Sequence, residues 1–169
     1  MRAYIGLQPP QEVRERLRRQ LDGLDEALDA GWVGADHFHV TLRFLGDVST
    51  DDAAFEQLSR AYAAAPARRV RLGQQLQFLG DALVVPAEGA DDLALTAREL
   101  TTLASGVIEP PKFFGHMTVA LPSADQQPWA HRMVGAAFAA EWTAAEAFLF
   151  ASDPTAASRY RVLTRFPLA

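Results

Sequence analysis

The 169-residue chain is 49% hydrophobic with a net charge of −5, which suffices for one substantial core, or two small lobes sharing one, and excludes two large independent domains. The acidic balance excludes a protein that coats nucleic acid by bulk electrostatics, because counterion release needs many phosphate-facing cations; any such contact must be local. With no cysteine, no membrane-length apolar run and no signal-peptide layout, the chain is expected to be a cytoplasmic protein without disulfides, thiolate metal sites or a membrane partner.

Arg2 to Leu7 reads as a strand, Pro9 and Pro10 set a helix start, and Val13, Leu17, Leu21, Leu24 and Leu28 recur at three-to-four spacing, which predicts an amphipathic helix. After Gly31 and Gly34, a strand is expected over Phe38 to Leu45, where Phe38, Val40, Leu42 and Phe44 alternate with His37, His39, Thr41 and Arg43. Ser49 or Thr50, followed by Asp51 and Asp52, predicts an N-cap and acidic first turn for a helix through Phe55, Leu58 and Tyr62, ended by Pro66. Arg69 to Leu72, Leu76 to Leu79 and Leu83 to Val85 are expected as an antiparallel strand group. A helix over about Asp91 to Ala104 follows, then a Pro110-Pro111 break, a second alternation at His116 to Val119, a helix over roughly Trp129 to Phe138, and strands at Ala147 to Ala151 and Tyr160 to Phe166. This mixture favours α+β over a doubly wound parallel sheet, with residues 1–169 as a single unit.

The pattern His-x-Thr-x occurs twice, as His39-Val40-Thr41-Leu42 and His116-Met117-Thr118-Val119, 77 residues apart. In a strand, positions i and i+2 share a face, so each copy sets an imidazole beside a hydroxyl while Val40 or Met117 anchors the strand in the core. One such triplet on a half-exposed strand is most simply chance; two in matching contexts point to chemistry. Opening a cyclic phosphate needs a base for the attacking water, an acid for the departing ribose oxygen and donors for the non-bridging oxygens, and two His with two Thr supply that set without a metal or cofactor. Histidine suits both proton roles because its pKa of about 6.5 allows one neutral and one cationic ring near neutrality.

By simple alternation Arg43 and His37 fall on the same face, as candidates for phosphate or substrate contact; His37 reads equally as a plain exposed strand position. Every cation but Lys112 is arginine, whose fork suits bidentate phosphate contacts, although the compositional bias that gives many alanines accounts for this as readily. Phe113 and Phe114 are candidates for stacking on a terminal base, core packing being the commoner fate. His131 reads as a solvated helix position.

These segments resemble the two-histidine (2H) phosphoesterases, and among them the bacterial and archaeal RNA 2',3'-cyclic phosphodiesterases first described as 2'-5' RNA ligases. The resemblance runs over nearly the whole chain: the opening strand with Pro9, Trp32-Val33 leading to His39 through Gly46, Phe113 ahead of His116 through Val119, and the ending Tyr160 to Leu168. It implies two pseudo-symmetric α+β lobes whose antiparallel sheets face a central cleft, helices outside, each lobe giving one motif strand. It also implies hydrolysis to a 2'-phosphate, ligation in the reverse direction, RNA ends as partner, and a monomer with no obligatory protein partner. By the same analogy His39 is the proton donor and His116 the acceptor, although sequence leaves an exchange of roles open. Two departures stand out: Ala120 and Leu121 occupy the place where the family often has Arg, and Gly115 replaces a frequent Pro, suggesting a looser approach to the strand. Three other readings compete: a non-catalytic binder of RNA terminal phosphates, a 2H enzyme for small cyclic nucleotides, and, weakest for want of a third ligand, a metal held by His37 and His39.

Overall fold

The first strand, β1 (Arg2–Leu7), buries Ala3, Ile5 and Leu7 on one face and Tyr4 on the other. This computed structural model describes residues 2–24, 31–49, 53–152 and 160–169; the expected positions Leu28, Thr50, Asp51 and Asp52 lie outside them. Pro9 and Pro10 start α1 (Gln11–Leu24), where Val13, Leu17 and Leu21 form the buried stripe its spacing predicts. A 3-10 turn (Ala35–His37) leads into β2 (Val40–Asp47), then α2 (Ala53–Ala63), β3 (Arg68–Leu72), β4 (Gln77–Leu79), β5 (Ala82–Glu88), α3 (Asp91–Leu100) and β6 (His116–Ala120). The chain ends with α4 (Gln127–His131), β7 (Ala140–Ala144), β8 (Glu146–Ser152) and β9 (Tyr160–Pro167).

All strand pairs are antiparallel, in the order β7-β3-β5-β6-β2-β1-β8-β9, with β4 added beside β5. The fold is therefore α+β, with a half of five strands (β3 to β7) and a half of four (β1, β2, β8 and β9) meeting where β6 lies beside β2. Helices α2 and α3 pack together against the half containing β2 and β9, whereas α1 reaches across to β7 in the other half. One large apolar core runs through both halves; a smaller cluster of Tyr4, Phe148 and Phe150 covers the opposite face of β1 and β8.

Four expectations need correction. His37 ends the 3-10 turn and β2 begins only at Val40, so His37, Phe38 and His39 all precede the strand. Helix α3 stops at Leu100, not Ala104: Thr101 is extended, and its hydroxyl donates back to the Ala97 carbonyl at 2.6 Å. The helix expected to Phe138 ends at His131, because Gly135 turns left-handed (φ +85°) and the backbone beyond bonds to residues 74–76. Strand β7 was not foreseen, although Ala140, Trp142 and Ala144 are buried and Glu141 and Thr143 exposed, the alternation of a half-covered strand.

Candidate active site

Both motifs meet at the seam of the sheet. Val40 of β2 pairs directly with Met117 of β6, and both are fully buried. Continuing that antiparallel register sets Thr41 across from His116 and His39 across from Thr118, so all four polar side chains leave the same face, opposite the two anchors. His39 and His116 are then diagonal neighbours, with backbones about 7–8 Å apart, a spacing that lets two rings flank one tetrahedral centre. The four are each partly exposed.

The two imidazoles are oriented in the same way. His39 Nδ1 lies 2.7 Å from the carbonyl oxygen of His37, and His116 Nδ1 lies 2.7 Å from that of Phe114, each two residues upstream. A carbonyl only accepts, so in both rings Nδ1 carries the hydrogen and Nε2 is left for proton exchange. Their environments differ. Burial pushes His39 down to about 4, opposed by its bond to the His37 carbonyl and reinforced by the nearby His37 and His116 rings. The free protein thus holds His39 neutral at pH 7.

An aromatic wall encloses His39, and sequence reasoning missed it. Tyr4, Tyr160 and Phe150 stand 4.8, 5.5 and 6.0 Å from its ring, centre to centre, and Tyr4 stacks on Phe150 at 4.9 Å. Tyr4 is buried, its hydroxyl has no partner among the described residues, and desolvation, with Tyr160 beside it, pushes its pKa upward, so it stays protonated. The signal lay in period two: Phe148 and Phe150 flank Leu149, and Tyr4 follows core-facing Ala3. His37 belongs to the same wall, 4.8 Å from Tyr160, although a turn and not a strand puts it there; its Nδ1 is buried without a partner among the described residues.

Arg43 is not on the site face. A bulge at Leu42 sets Thr41 opposite Gly6 but Arg43 opposite Ile5, reversing the alternation, and Arg43 turns into the helix layer. There it is 8% exposed; Nε and Nη2 bond the Glu109 carboxylate, each at 3.0 Å, and Nη1 bonds carbonyls at the end of α3. Arg43 lines the cavity shared by Thr41 and His116, but its donors are engaged by Glu109 and the end of α3. Phe113 packs against the main core, whereas Phe114 is 44% exposed and stacked beside His116, ring centres 5.6 Å apart. Next to this pair opens a cavity of about 620 Å³, lined by Thr41, Arg43, Lys112, Phe113, Phe114 and His116 among others.

Gly115 also departs from expectation. Its carbonyl accepts the Ala87 amide at 2.8 Å, and a Cβ there would lie 2.3 Å from the Ala87 oxygen. The approach to β6 is therefore tighter, not looser, than a side chain allows. Among the described residues no group of three or more His, Asp or Glu converges as a metal site, and no helix is long and apolar enough to cross a membrane.

This arrangement can be set beside known proteins. Residues 7–74 match the family model described as LigT like phosphoesterase. No curated protein matches the chain. Among solved structures, TT0787 of Thermus thermophilus aligns with a TM-score of 0.69 and 22% identity, covering 99% of this chain and 98% of that one. E. coli LigT complexed with NADP+ aligns with a TM-score of 0.69 and 23% identity, covering 99% and 97%. The MHV ns2 PDE domain is more distant, at 0.54 and 17%, covering 95% and 96%. Residues 7–74, which hold the first motif, are thus similar to the LigT-like phosphoesterases, and 99% of the chain shares the fold of E. coli LigT.

Proposed function

We propose that the protein hydrolyses 2',3'-cyclic phosphate ends of RNA to 2'-phosphate ends, by metal-independent acid/base catalysis with His39 and His116. The observation that carries this is the pairing of Val40 with Met117, which puts two identically oriented imidazoles and two hydroxyls on one face of one strand pair. With the cyclic phosphate seated there, one neutral Nε2 takes a proton from water as its oxygen bonds phosphorus. The other ring gives its proton to the ribose 3' oxygen as the P–O3' bond breaks, leaving the 2' ester. Thr41 and Thr118 donate to the non-bridging oxygens. By family analogy His39 is the acid and His116 the base; since burial keeps His39 neutral in the free protein, that assignment requires His39 to take up its proton along with the anionic substrate. With the 5' hydroxyl of a second strand in place of water, the same steps join RNA through a 2'-5' bond, the O5'–P bond forming as P–O3' breaks, and their reverse opens such a bond to the cyclic phosphate. We place this activity in the cytoplasm, with RNA ends as the partner and the monomer as the working form.

A second reading keeps the chemistry and changes the substrate. E. coli LigT was crystallised with 3'-AMP, with ATP and with NADP+, which favours small nucleotides as ligands here too, so a nucleoside 2',3'-cyclic phosphate is the alternative. The test is product analysis on a short RNA and a mononucleotide, each bearing the cyclic phosphate, with EDTA present. A 2'-phosphate product is expected, falling about 10²- to 10⁴-fold in His39→Asn and in His116→Asn, the range for loss of a proton-transfer group. Tight binding of either compound without turnover would leave a binder of terminal phosphates instead.

A further inference from the structure

Arg43, displaced from the site by the Leu42 bulge, stands in the helix layer between the two motifs. Its guanidinium accounts for one end of a segment that is otherwise weakly held. Among the described residues, 108–114 make no backbone–backbone hydrogen bond; the ladder resumes only where the Gly115 carbonyl accepts the Ala87 amide. What anchors the segment is Glu109, gripped in bidentate fashion by Nε and Nη2 of Arg43 at 3.0 Å each, with Arg98 3.6 Å away and also donating to the Pro111 carbonyl at 3.2 Å. Nη1 of Arg43 meanwhile bonds the carbonyls of Arg98 (3.0 Å), Ala97 (3.3 Å) and Thr101, and the Thr101 hydroxyl (2.9 Å), where α3 ends. The segment matters because the Phe114 carbonyl fixes the Nδ1–H of His116.

We infer that Arg43 is a positioning residue for His116: it ties the strand of the first motif, through Glu109 and the end of α3, to the segment whose Phe114 carbonyl orients the second histidine. Its donors go to Glu109 and to the carbonyls and hydroxyl at the end of α3. The physical case is that a planar, five-donor group can hold a carboxylate and a helix end at once, which a lysine point charge cannot, and that misplacing a reacting group by about 1 Å costs on the order of 100-fold in rate.

The inference rests on the two-histidine reading, so its test has one arm that needs no turnover. In Arg43→Ala, kcat on the cyclic-phosphate RNA is expected to fall about 10- to 100-fold with KM within about threefold. Guanidinium added at millimolar concentration should restore part of the loss, and an equal concentration of sodium chloride should not. In the second arm, ¹⁵N NMR of the His116 ring should lose its single Nδ1–H tautomer in Arg43→Ala while the His39 ring keeps its own. Arg43→Lys should resemble Arg43→Ala. If Arg43→Ala fails to fold, Glu109→Gln takes its place, with a threefold to tenfold fall in kcat expected and the same selective change at His116. A folded variant with unchanged His116 signals would overturn the inference whatever its activity. Changed signals in a protein whose wild type turns over no cyclic phosphate would sustain the positioning role and reject the catalytic reading.

Discussion

His39 is a base-bearing side chain placed where its cation is disfavoured, and that has a measurable cost in acid. Its folded pKa lies near 4 against 6.5 for the free side chain, so as pH falls the unfolded chain takes up this proton first. The unfolded state then binds more protons than the folded one, and stability falls as pH drops from about 6.5 to about 4, where the folded ring protonates too. For a shift of that size the loss is on the order of 2 kcal/mol, discounted because part of the ring still meets solvent. His39→Asn should flatten this segment of the stability-against-pH curve in urea titrations; an unchanged slope would mean that the aromatic wall does not desolvate the ring. The residue types themselves were legible in the sequence, because a duplicated His-x-Thr-x is a local chemical pattern. The wall was not, because Tyr4, Phe150 and Tyr160 reach His39 from three strands, and only the sheet order brings those strands together.

Elements whose partners lie nearby in sequence or whose periodicity is strong were read correctly: β1, the buried stripe of α1, and β6. The misreadings share a cause, which is tertiary bonding that overrides local pattern. The Leu42 bulge is invisible to alternation counting, since one extra residue in β2 reverses every side chain beyond it, and this alone moved Arg43 from the site into the helix layer. The end of α3 was set by the Thr101 hydroxyl and Arg43 capturing its last carbonyls, groups that a helix-propensity window does not weigh. At Gly115 the constraint is steric: the Ala87 oxygen leaves no room for a Cβ. Gly115→Ala must therefore shift backbone at the root of β6, with an expected loss of about 1–3 kcal/mol and a fall in turnover beyond what stability explains, since His116 follows directly. Urea midpoints and kcat measured on the same samples check this, and a variant as stable and active as wild type would show that β6 moves aside without strain.

At the scale of the whole molecule, the two halves are interlocked by the order in which the chain visits them. It lays down β1, sends α1 across to pack on β7, returns for β2, builds β3 to β7 in the other half, and comes back for β8 and β9. The motif strands at the seam are thus held from both sides, and the site is small and central in an acidic protein. That sets the electrostatics of binding. Arg43 is occupied in the helix layer, and Ala120 and Leu121 stand where the family often has arginine, so the proposed function predicts recognition through the terminal phosphate and its immediate nucleoside. For single strands the affinity falls with salt by a log–log slope of about −0.7 per phosphate neutralised, so one or two contacts predict a slope near −1. Affinity measured between about 50 and 200 mM salt for a 2'-phosphate-ended RNA should give that slope both at three nucleotides and at twenty. Steepening with length would reveal a second, distributed surface, and would replace an enzyme that reads ends with one that tracks strands.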